Sequence, residues 1–304
     1  MAAPSAATTG VVVVETRLAY GGGAGAATGI VLTSSGTVLT NNHVIRGAGS
    51  IRVTVPSTGR TYTATVAGYS VSKDVAVLKL RNAHGLETVQ TGNSNTVEVG
   101  DRVTAVGNAG GTGLTSKSGR VTGLGQSITI RDDIGPFTLP GLIETTAPLR
   151  FGDSGGPLLS GGRVVGLDAA ASGGVYFEGS GQGYAIPINR ALKIAGQVEA
   201  GRRSSTVHVG PTAFLGVALS AGDGDEHVPG ALVERVASGT PAHRAGIGAN
   251  DLITSFAGKR VTSPASLKSL VLQASPGNTV RVTWIDTSAG KTSAAVRLVS
   301  GPPQ

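Results

Sequence analysis

One string in this chain holds the residue types that acyl transfer needs. Phe151-Gly152-Asp153-Ser154-Gly155-Gly156-Pro157 sets a serine among three glycines. A serine hydroxyl is a weak nucleophile at neutral pH, so one that attacks a carbonyl must be presented on a tight turn beside a base. Flanking glycines allow unusual backbone dihedrals and let a substrate main chain come close. The same turn can aim the N–H groups of Gly152 and Ser154 at a developing oxyanion. A Gly-rich hairpin turn would read the same way in a chain with 48 glycines, so the base and its orienting acid must decide.

Five histidines are available as the base: His43, His84, His208, His227 and His243. His84, His208 and His227 stand in Gly-rich, polar or linker-like surroundings and read as surface residues. His243 lies in the turn-to-helix segment Thr240-Pro241-Ala242-His243-Arg244-Ala245-Gly246, with no nucleophile near it in sequence. His43 follows Thr40-Asn41-Asn42 and precedes Val44-Ile45, at the end of a predicted strand where a side chain can face a cleft. An acid that orients an imidazole should be buried yet hydrogen-bonded, so that its charge is felt without competition from water. Asp74 opens the apolar strand Val75-Ala76-Val77-Leu78-Lys79-Leu80 and meets that requirement. Asp101, in Val99-Gly100-Asp101-Arg102, reads as a hairpin-turn residue. Asp153 is too close in sequence to Ser154 to reach around a histidine; Asp168 and the pair Asp132-Asp133 are the other options in this half of the chain. The assignment is His43, Asp74 and Ser154, in that order.

The elements that must position these residues are mostly strands. Hydrophobic residues make up 39% of the chain and charged ones 14%, glycine is abundant, and Val and Thr recur, which favours a β-rich fold. Strands are predicted at 11–20, 27–32, 37–40, 51–55, 61–69, 75–80, 102–106, 119–124 and 127–130, the spacing of a sandwich or barrel. The first convincing helix is 188–200, with Pro187 at its start and Ile188, Leu192, Ala195 and Val198 along one side; Gly201 stops it before Arg202-Arg203. Residues 201–211 have linker composition. Beyond them strands are expected at 214–219, 231–236, 252–256, 280–284 and 293–299, with a helix from Ser263-Pro264 to Gln273 carrying Leu267, Leu270 and Val271. The organisation expected is a flexible segment 1–10, a domain over 11–200, a linker over 201–211 and a smaller domain over 212–300.

Composition also bounds partners. The absence of cysteine excludes a disulfide scaffold, a thiol nucleophile and Cys-ligated metal. A net charge of +7 invites nucleic acid, but the basic residues are scattered and only 4% of residues are aromatic, so no stacking platform is expected. No apolar stretch reaches the roughly 18 residues of a membrane span. Residues 1–10 lack a basic start and an apolar core, so they do not read as an intact export signal.

The motifs together resemble a known family. Thr40-Asn41-Asn42-His43-Val44, Lys73-Asp74-Val75-Ala76-Val77-Leu78-Lys79-Leu80, Ala105-Val106-Gly107-Asn108 and Gly152-Asp153-Ser154-Gly155-Gly156-Pro157 resemble the chymotrypsin-like, or trypsin-like, serine proteases, and among them the bacterial HtrA/Deg branch. Tyr184-Ala185-Ile186-Pro187-Ile188 is similar to that family's domain ending. Phe214-Leu215-Gly216-Val217, Gly239-Thr240-Pro241-Ala242, Ala245-Gly246-Ile247 and Asn250-Asp251-Leu252-Ile253 resemble its PDZ domain. The resemblance covers roughly residues 11–300.

It implies a mainly β fold, a chymotrypsin-like double β-barrel followed by a small α+β PDZ domain. It implies a serine endopeptidase of protein quality control, without metal or organic cofactor, acting on unfolded polypeptides in an extracytoplasmic place (secreted, periplasm or cell envelope). The other reading it leaves is a chaperone-like or scaffold protein in which proteolysis is residual. The base of the substrate pocket falls at Pro148, six residues before Ser154, and the opposite wall at Ala169, Ala170 and Ala171, which implies cleavage after Ala, Val or Leu rather than Arg, Lys or Glu. In the PDZ-like part, the N–H groups of Leu215, Gly216 and Val217 would receive a C-terminal carboxylate, the peptide lying beside Phe214–Val217 and against Leu267 and Val271. The family often forms trimers through aromatic residues near its N-terminus; residues 1–19 contain no Phe, Trp or Tyr, so a homo-oligomer rests on the resemblance alone. Two positions depart from the pattern. Where this branch commonly has Asn-Pro-Gly-Asn-Ser, the chain has Arg150-Phe151-Gly152-Asp153-Ser154, and Arg150 and Phe151 fall where the family's activation loop switches the oxyanion hole. Asp153 matches the digestive-type proteases, in which the equivalent acid pairs with a new N-terminus; without a visible zymogen architecture, a local partner is expected here.

Overall fold

The computed structural model describes residues 7–20, 22–132, 135–169, 182–220, 228–286, 288 and 290–304. Apart from residues 131–137, contacts group the chain into two compact units that part between Gly210 and Pro211. In chain order the first holds β1 (Val11–Leu18), β2 (Ala24–Val31), β3 (Thr37–Thr40), the single helical turn α1 (Asn42–Ile45), β4 (Ala48–Val55), β5 (Arg60–Ser70) and β6 (Val75–Leu80). It continues with β7 (Arg102–Gly107), β8 (Thr115–Asp132), β9 (Gly135–Thr145), β10 (Pro157–Ser160), β11 (Arg163–Asp168), β12 (Gly183–Pro187), α2 (Ile188–Glu199) and β13 (His208–Val209).

These strands make two sheets. One runs β13-β5-β4-β1-β2-β3-β6, with β5 also pairing to β6 so that the sheet curls onto itself; the other is a closed barrel, β10-β11-β12-β9-β8-β7. The burial pattern shows why the sequence folds this way. In β1, Val12, Val14 and Thr16 are buried while Glu15 and Arg17 are exposed, the alternation of a strand with one wet face. In β6, Val75, Ala76, Val77 and Leu78 are all buried, because one face lines the sheet interior and α2 packs near β5 and β6. The buried side of α2 is Ile188, Ala191, Ile194, Ala195 and Val198; Leu192, placed on that side by sequence, is only half-buried.

Three expectations change. The two strands expected at 119–124 and 127–130 are one strand, β8. Its neighbour β9 is missing from the sequence reading because Pro136, Pro140 and Gly141 argue against a strand, yet pairing with β8 and β12 secures it. Residues 7–10, expected to be flexible, form a turn tied to β1 and β2 of the first sheet, with Val11 N–H donating to the Thr8 carbonyl (3.1 Å) and Val31 N–H to the Gly10 carbonyl (2.8 Å). The segment of linker composition also contributes structure. Its His208 and Val209 form β13, paired with Tyr69 and Gly68 of β5. His208, read from sequence as a surface residue, is only 7% exposed, with its ring 4.9 Å from that of Tyr69.

The second unit holds β14 (Thr212–Phe214), β15 (Val217–Leu219), β16 (Ala231–Val236), α3 (Pro241–Arg244), β17 (Leu252–Phe256), β18 (Lys259–Arg260), α4 (Pro264–Gln273), β19 (Thr279–Asp286), β20 (Gly290–Arg297) and β21 (Val299–Gly301). Its main sheet runs β15-β16-β17-β19-β20, with β18 on β17, and β14 pairs with β21. Ile253, Phe256, Val282 and Trp284 form its core with Leu267 and Val271 of α4. That helix starts where it does because Ser263 and Ser266 make a reciprocal capping box. The strand expected at 214–219 is interrupted at Leu215-Gly216, which matters for the groove described below.

Candidate active site and peptide groove

His43 and Asp74 meet across 31 residues of chain. His43 lies in α1, the turn directly after β3, rather than at the strand end itself. Asp74 lies in the turn before β6 and is 2% exposed. Its Oδ2 is 2.8 Å from His43 Nδ1, and its Oδ1 accepts the backbone N–H of His43 at 2.9 Å. The Asp74 carbonyl accepts Asn41 Nδ2 at 3.0 Å, and its N–H donates to the Val71 carbonyl at 3.2 Å. These bonds hold Asp74 at φ 51°, a left-handed backbone that aspartate tolerates better than most residues but that is sparsely populated. The two-oxygen clasp fixes both the position and the ring orientation of His43. Its other ring nitrogen, Nε2, is buried and has no hydrogen-bond partner among the described residues.

Ser154 is 2% exposed and sits on the turn between Arg150 and β10. The turn is bound from several sides. Thr28 of β2 donates its N–H to the Ser154 carbonyl (2.9 Å) and its hydroxyl to the Gly152 carbonyl (2.6 Å); the same hydroxyl accepts the Asn108 N–H at 2.9 Å. Gly155 N–H donates to the Asp168 carbonyl (2.8 Å), and Asp168 N–H to the Gly156 carbonyl (2.7 Å). Gly152 and Gly155 have φ of 95° and 81°. A Cβ at Gly152 would overlap the Asn108 carbonyl, and one at Gly155 the Thr28 carbonyl and the Thr40 hydroxyl. Both glycines are therefore required by conformation and by space. The contact with Thr40 sets the Ser154 turn against the end of β3, three residues before His43.

Thr28 and Lys117 are the residues that sequence reasoning missed here. Nothing in the pattern of β2 or β8 distinguishes either one. Lys117 Nζ makes an ion pair with Asp153 Oδ2 and is the local partner expected for Asp153. Asp168 is fully buried, and neither carboxylate oxygen has a hydrogen-bond partner among the described residues. Its carboxyl is pushed well above the usual range, first by burial and then by the Asp153 charge, with Lys117 acting in the opposite sense. Of the other acids considered from sequence, Asp101 accepts the Glu98 N–H in a turn at 3.0 Å; Asp133 and the side chain of Asp132 lie outside the described residues.

The raised Asp168 carboxyl makes stability depend on pH. An unfolded aspartate ionises near about pH 4, whereas the folded one keeps its proton to higher pH. As pH rises between those two values the unfolded chain has released a proton that the folded chain retains, so stability falls. Thermal unfolding of Asp168→Asn, followed from about pH 4 to about pH 8, is expected to lack that decline. A parent-like decline in the variant would show that the dependence lies elsewhere.

Of the residues assigned to a substrate pocket, Pro148 is exposed, Ala169 is 4% exposed with its N–H bonded to the Tyr184 carbonyl (2.8 Å), and Ala170 and Ala171 lie outside the described residues. Phe151, beside the serine turn, is 54% exposed.

The second unit carries a groove of about 600 Å³ whose lining includes Phe214, Leu215, Gly216, Val217, Leu267 and Val271. The carbonyls of Leu215 and Gly216 accept N–H groups from Ala242 (2.9 Å) and Ala237 (3.0 Å). These bonds hold the carbonyls of the strand break toward α3 and its preceding turn, and an extended peptide could lie between the break and α4.

The family model of the trypsin-like peptidase domain matches residues 27–167, and that of the PDZ domain matches residues 213–291. The chain is 34% identical over 264 residues to the probable periplasmic serine endoprotease DegP-like of Chlamydia trachomatis, covering 83% of this chain and 50% of that protein. It is 35% identical over 268 residues to the periplasmic pH-dependent serine endoprotease DegQ of Escherichia coli, covering 85% and 56%. The chain thus spans about half the length of these curated relatives. Among solved structures, the HtrA-type protease AlgW with tripeptide is similar at TM-score 0.56 and 25% identity over 99% of both chains. The serine endoprotease from Yersinia pestis is similar at TM-score 0.53 and 26% identity, over 97% of this chain and 95% of that one. With a trypsin-like peptidase domain followed by a PDZ domain, the chain belongs to the bacterial HtrA/Deg-type family of serine proteases.

Proposed function

We propose that the chain is a serine endopeptidase that hydrolyses unfolded polypeptides through Ser154, His43 and Asp74. The observation that carries this reading is the clasp of both Asp74 oxygens on His43. It directs Nδ1–H to the carboxylate and leaves Nε2 as the basic nitrogen, as a general base requires. Ser154 Oγ attacks the peptide carbonyl while His43 Nε2 takes its proton. The tetrahedral oxyanion is held by the N–H groups of Gly152 and Ser154. Collapse expels the amine, which receives the proton from His43, and water then releases the acyl group by the same steps in reverse. Asp74 holds the imidazole in place and stabilises it while it carries the proton. No cofactor takes part.

The groove at Phe214–Val217, Leu267 and Val271 takes C-terminal peptides, with the Leu215, Gly216 and Val217 N–H groups on the carboxylate. Following the names of the curated relatives, the place of action is extracytoplasmic. The test is hydrolysis of casein together with mass-spectrometric mapping of a fluorophosphonate reagent. Cleavage with the label on Ser154 supports the protease. Peptide binding with neither cleavage nor label favours a chaperone-like or scaffold protein instead.

Pro148 with Ala169, Ala170 and Ala171 offers no charge to a substrate side chain. Casein is expected to be cut after Ala, Val or Leu, and sequencing of the products checks this. Cleavage dominated by Arg, Lys or Glu at that position would refute the pocket assignment.

A further inference from the structure

The Ser154 turn is stabilised by a charge brought from another strand. Lys117 of β8 reaches Asp153 Oδ2, and the pair is largely buried, with side chains 15% and 1% exposed. The same oxygen accepts the Arg150 N–H at 2.7 Å, and the Asp153 N–H donates to the Arg150 carbonyl at 3.0 Å. Asp153 therefore closes the 150–153 turn with both its amide and its carboxylate. It lies directly on Gly107 at the end of β7, where a Cβ would come within 2.6 Å of the Asp153 Cα. The Asp153 charge, after burial, helps to raise the second buried carboxyl, Asp168. Its backbone brackets the other end of the turn through Gly155 and Gly156. Asp153 is also the residue between Gly152 and Ser154, the two donors of the proposed oxyanion site.

We propose that Lys117 is a positioning residue for catalysis at Ser154. Its ammonium holds the Asp153 carboxylate, and through it the Gly152 and Ser154 peptide units, in the orientation that aims both N–H groups at one point. Without the cation, Asp153 becomes an uncompensated buried anion beside Asp168. Swinging Asp153 toward water relieves that cost, and the swing rotates the Gly152–Asp153–Ser154 backbone and removes a donor from the oxyanion. The ground-state substrate depends little on that donor, so the loss falls on the transition state.

The inference rests on the protease reading, and the test separates the two. Parent, Lys117→Met, Lys117→Arg and Asp153→Ala are compared in the full chain, using a short chromogenic peptide ending in Val and a peptidyl aldehyde as tetrahedral mimic. Folding is checked by near-UV circular dichroism. Loss of one oxyanion donor sets the scale: Lys117→Met and Asp153→Ala should lower kcat by about 10²-fold or more with KM within about threefold. Aldehyde affinity should fall by a similar factor, which a merely structural role would not produce in a folded variant. Lys117→Arg, which keeps the cation, should retain at least about a tenth of kcat. A folded Lys117→Met or Asp153→Ala with kcat within about threefold of the parent overturns the proposal, as does a loss confined to KM. Should Lys117→Met fail to fold, Asp153→Ala decides, because it removes the group that the ammonium holds without stranding a buried anion. A parent that neither cleaves the peptide nor takes the serine label defeats the protease reading itself.

Discussion

Ser154→Ala is expected to lower kcat on casein-derived peptides by about 10⁶-fold, the scale seen when a triad nucleophile is removed, or roughly 8 kcal/mol of transition-state stabilisation. The size of the effect follows from the site. In the proposed mechanism the hydroxyl is the atom that forms the new bond, and the bonds from Thr28 and Asp168 hold its turn through main-chain atoms. Alanine keeps those bonds and adds no volume, so the fold should be unchanged. Peptide affinity of the groove in the second unit should also be unchanged, which isothermal titration with a hydrophobic C-terminal peptide would check. Measured kcat, rather than end-point cleavage, is the necessary readout, since a trace of parent enzyme would imitate a residual activity. A variant that keeps more than about a hundredth of parent kcat would place the nucleophile elsewhere.

Asp74→Asn carries the second largest expectation, a fall in kcat of about 10⁴-fold with KM little changed. The argument rests on the two oxygens of Asp74. Oδ1 accepts the His43 backbone N–H, which is a donor and cannot change. An asparagine must therefore keep its carbonyl oxygen on that side and turn its NH₂ toward His43 Nδ1. Facing a donor, Nδ1 becomes the acceptor, and the ring proton moves to Nε2. A protonated Nε2 cannot take the proton of Ser154. The variant should fold, bind substrate and lose the base. Nitrogen chemical shifts of the imidazole would show the change of tautomer directly. A parent-like tautomer with parent-like kcat would remove Asp74 from the mechanism.

How much of this was legible in the sequence varies with the range of the interaction. The strands β1, β3 and β6, the helix α4 with its Ser263 cap and the turn chemistry around Ser154 come from patterns within a few residues, where alternation, capping and glycine placement have local physical causes. The candidate triad was read from related local signals, a serine among glycines, a histidine beside small polar residues and an aspartate at the head of an apolar strand, and the structure brings His43 and Asp74 of these into hydrogen-bond contact. The merged strand β8, its proline-bearing neighbour β9 and the turn at residues 7–10 were not legible, because tertiary pairing overrode local preference.

By itself the sequence determined the residue types, the spacing of strands and turns, and the order of two modules. Only the tertiary structure decided which charge meets which. His43 and Asp74 are 31 residues apart in the chain, Lys117 and Asp153 are 36 apart, and Thr28 and Gly152 are 124 apart. The physical reason is that a buried charge or hydroxyl must be answered by whatever the packed strands bring to it. Strand register, set by the whole barrel, chooses that partner. A lysine at position 117 has no local mark in the sequence; it becomes part of the site because β8 runs past the turn that carries Asp153.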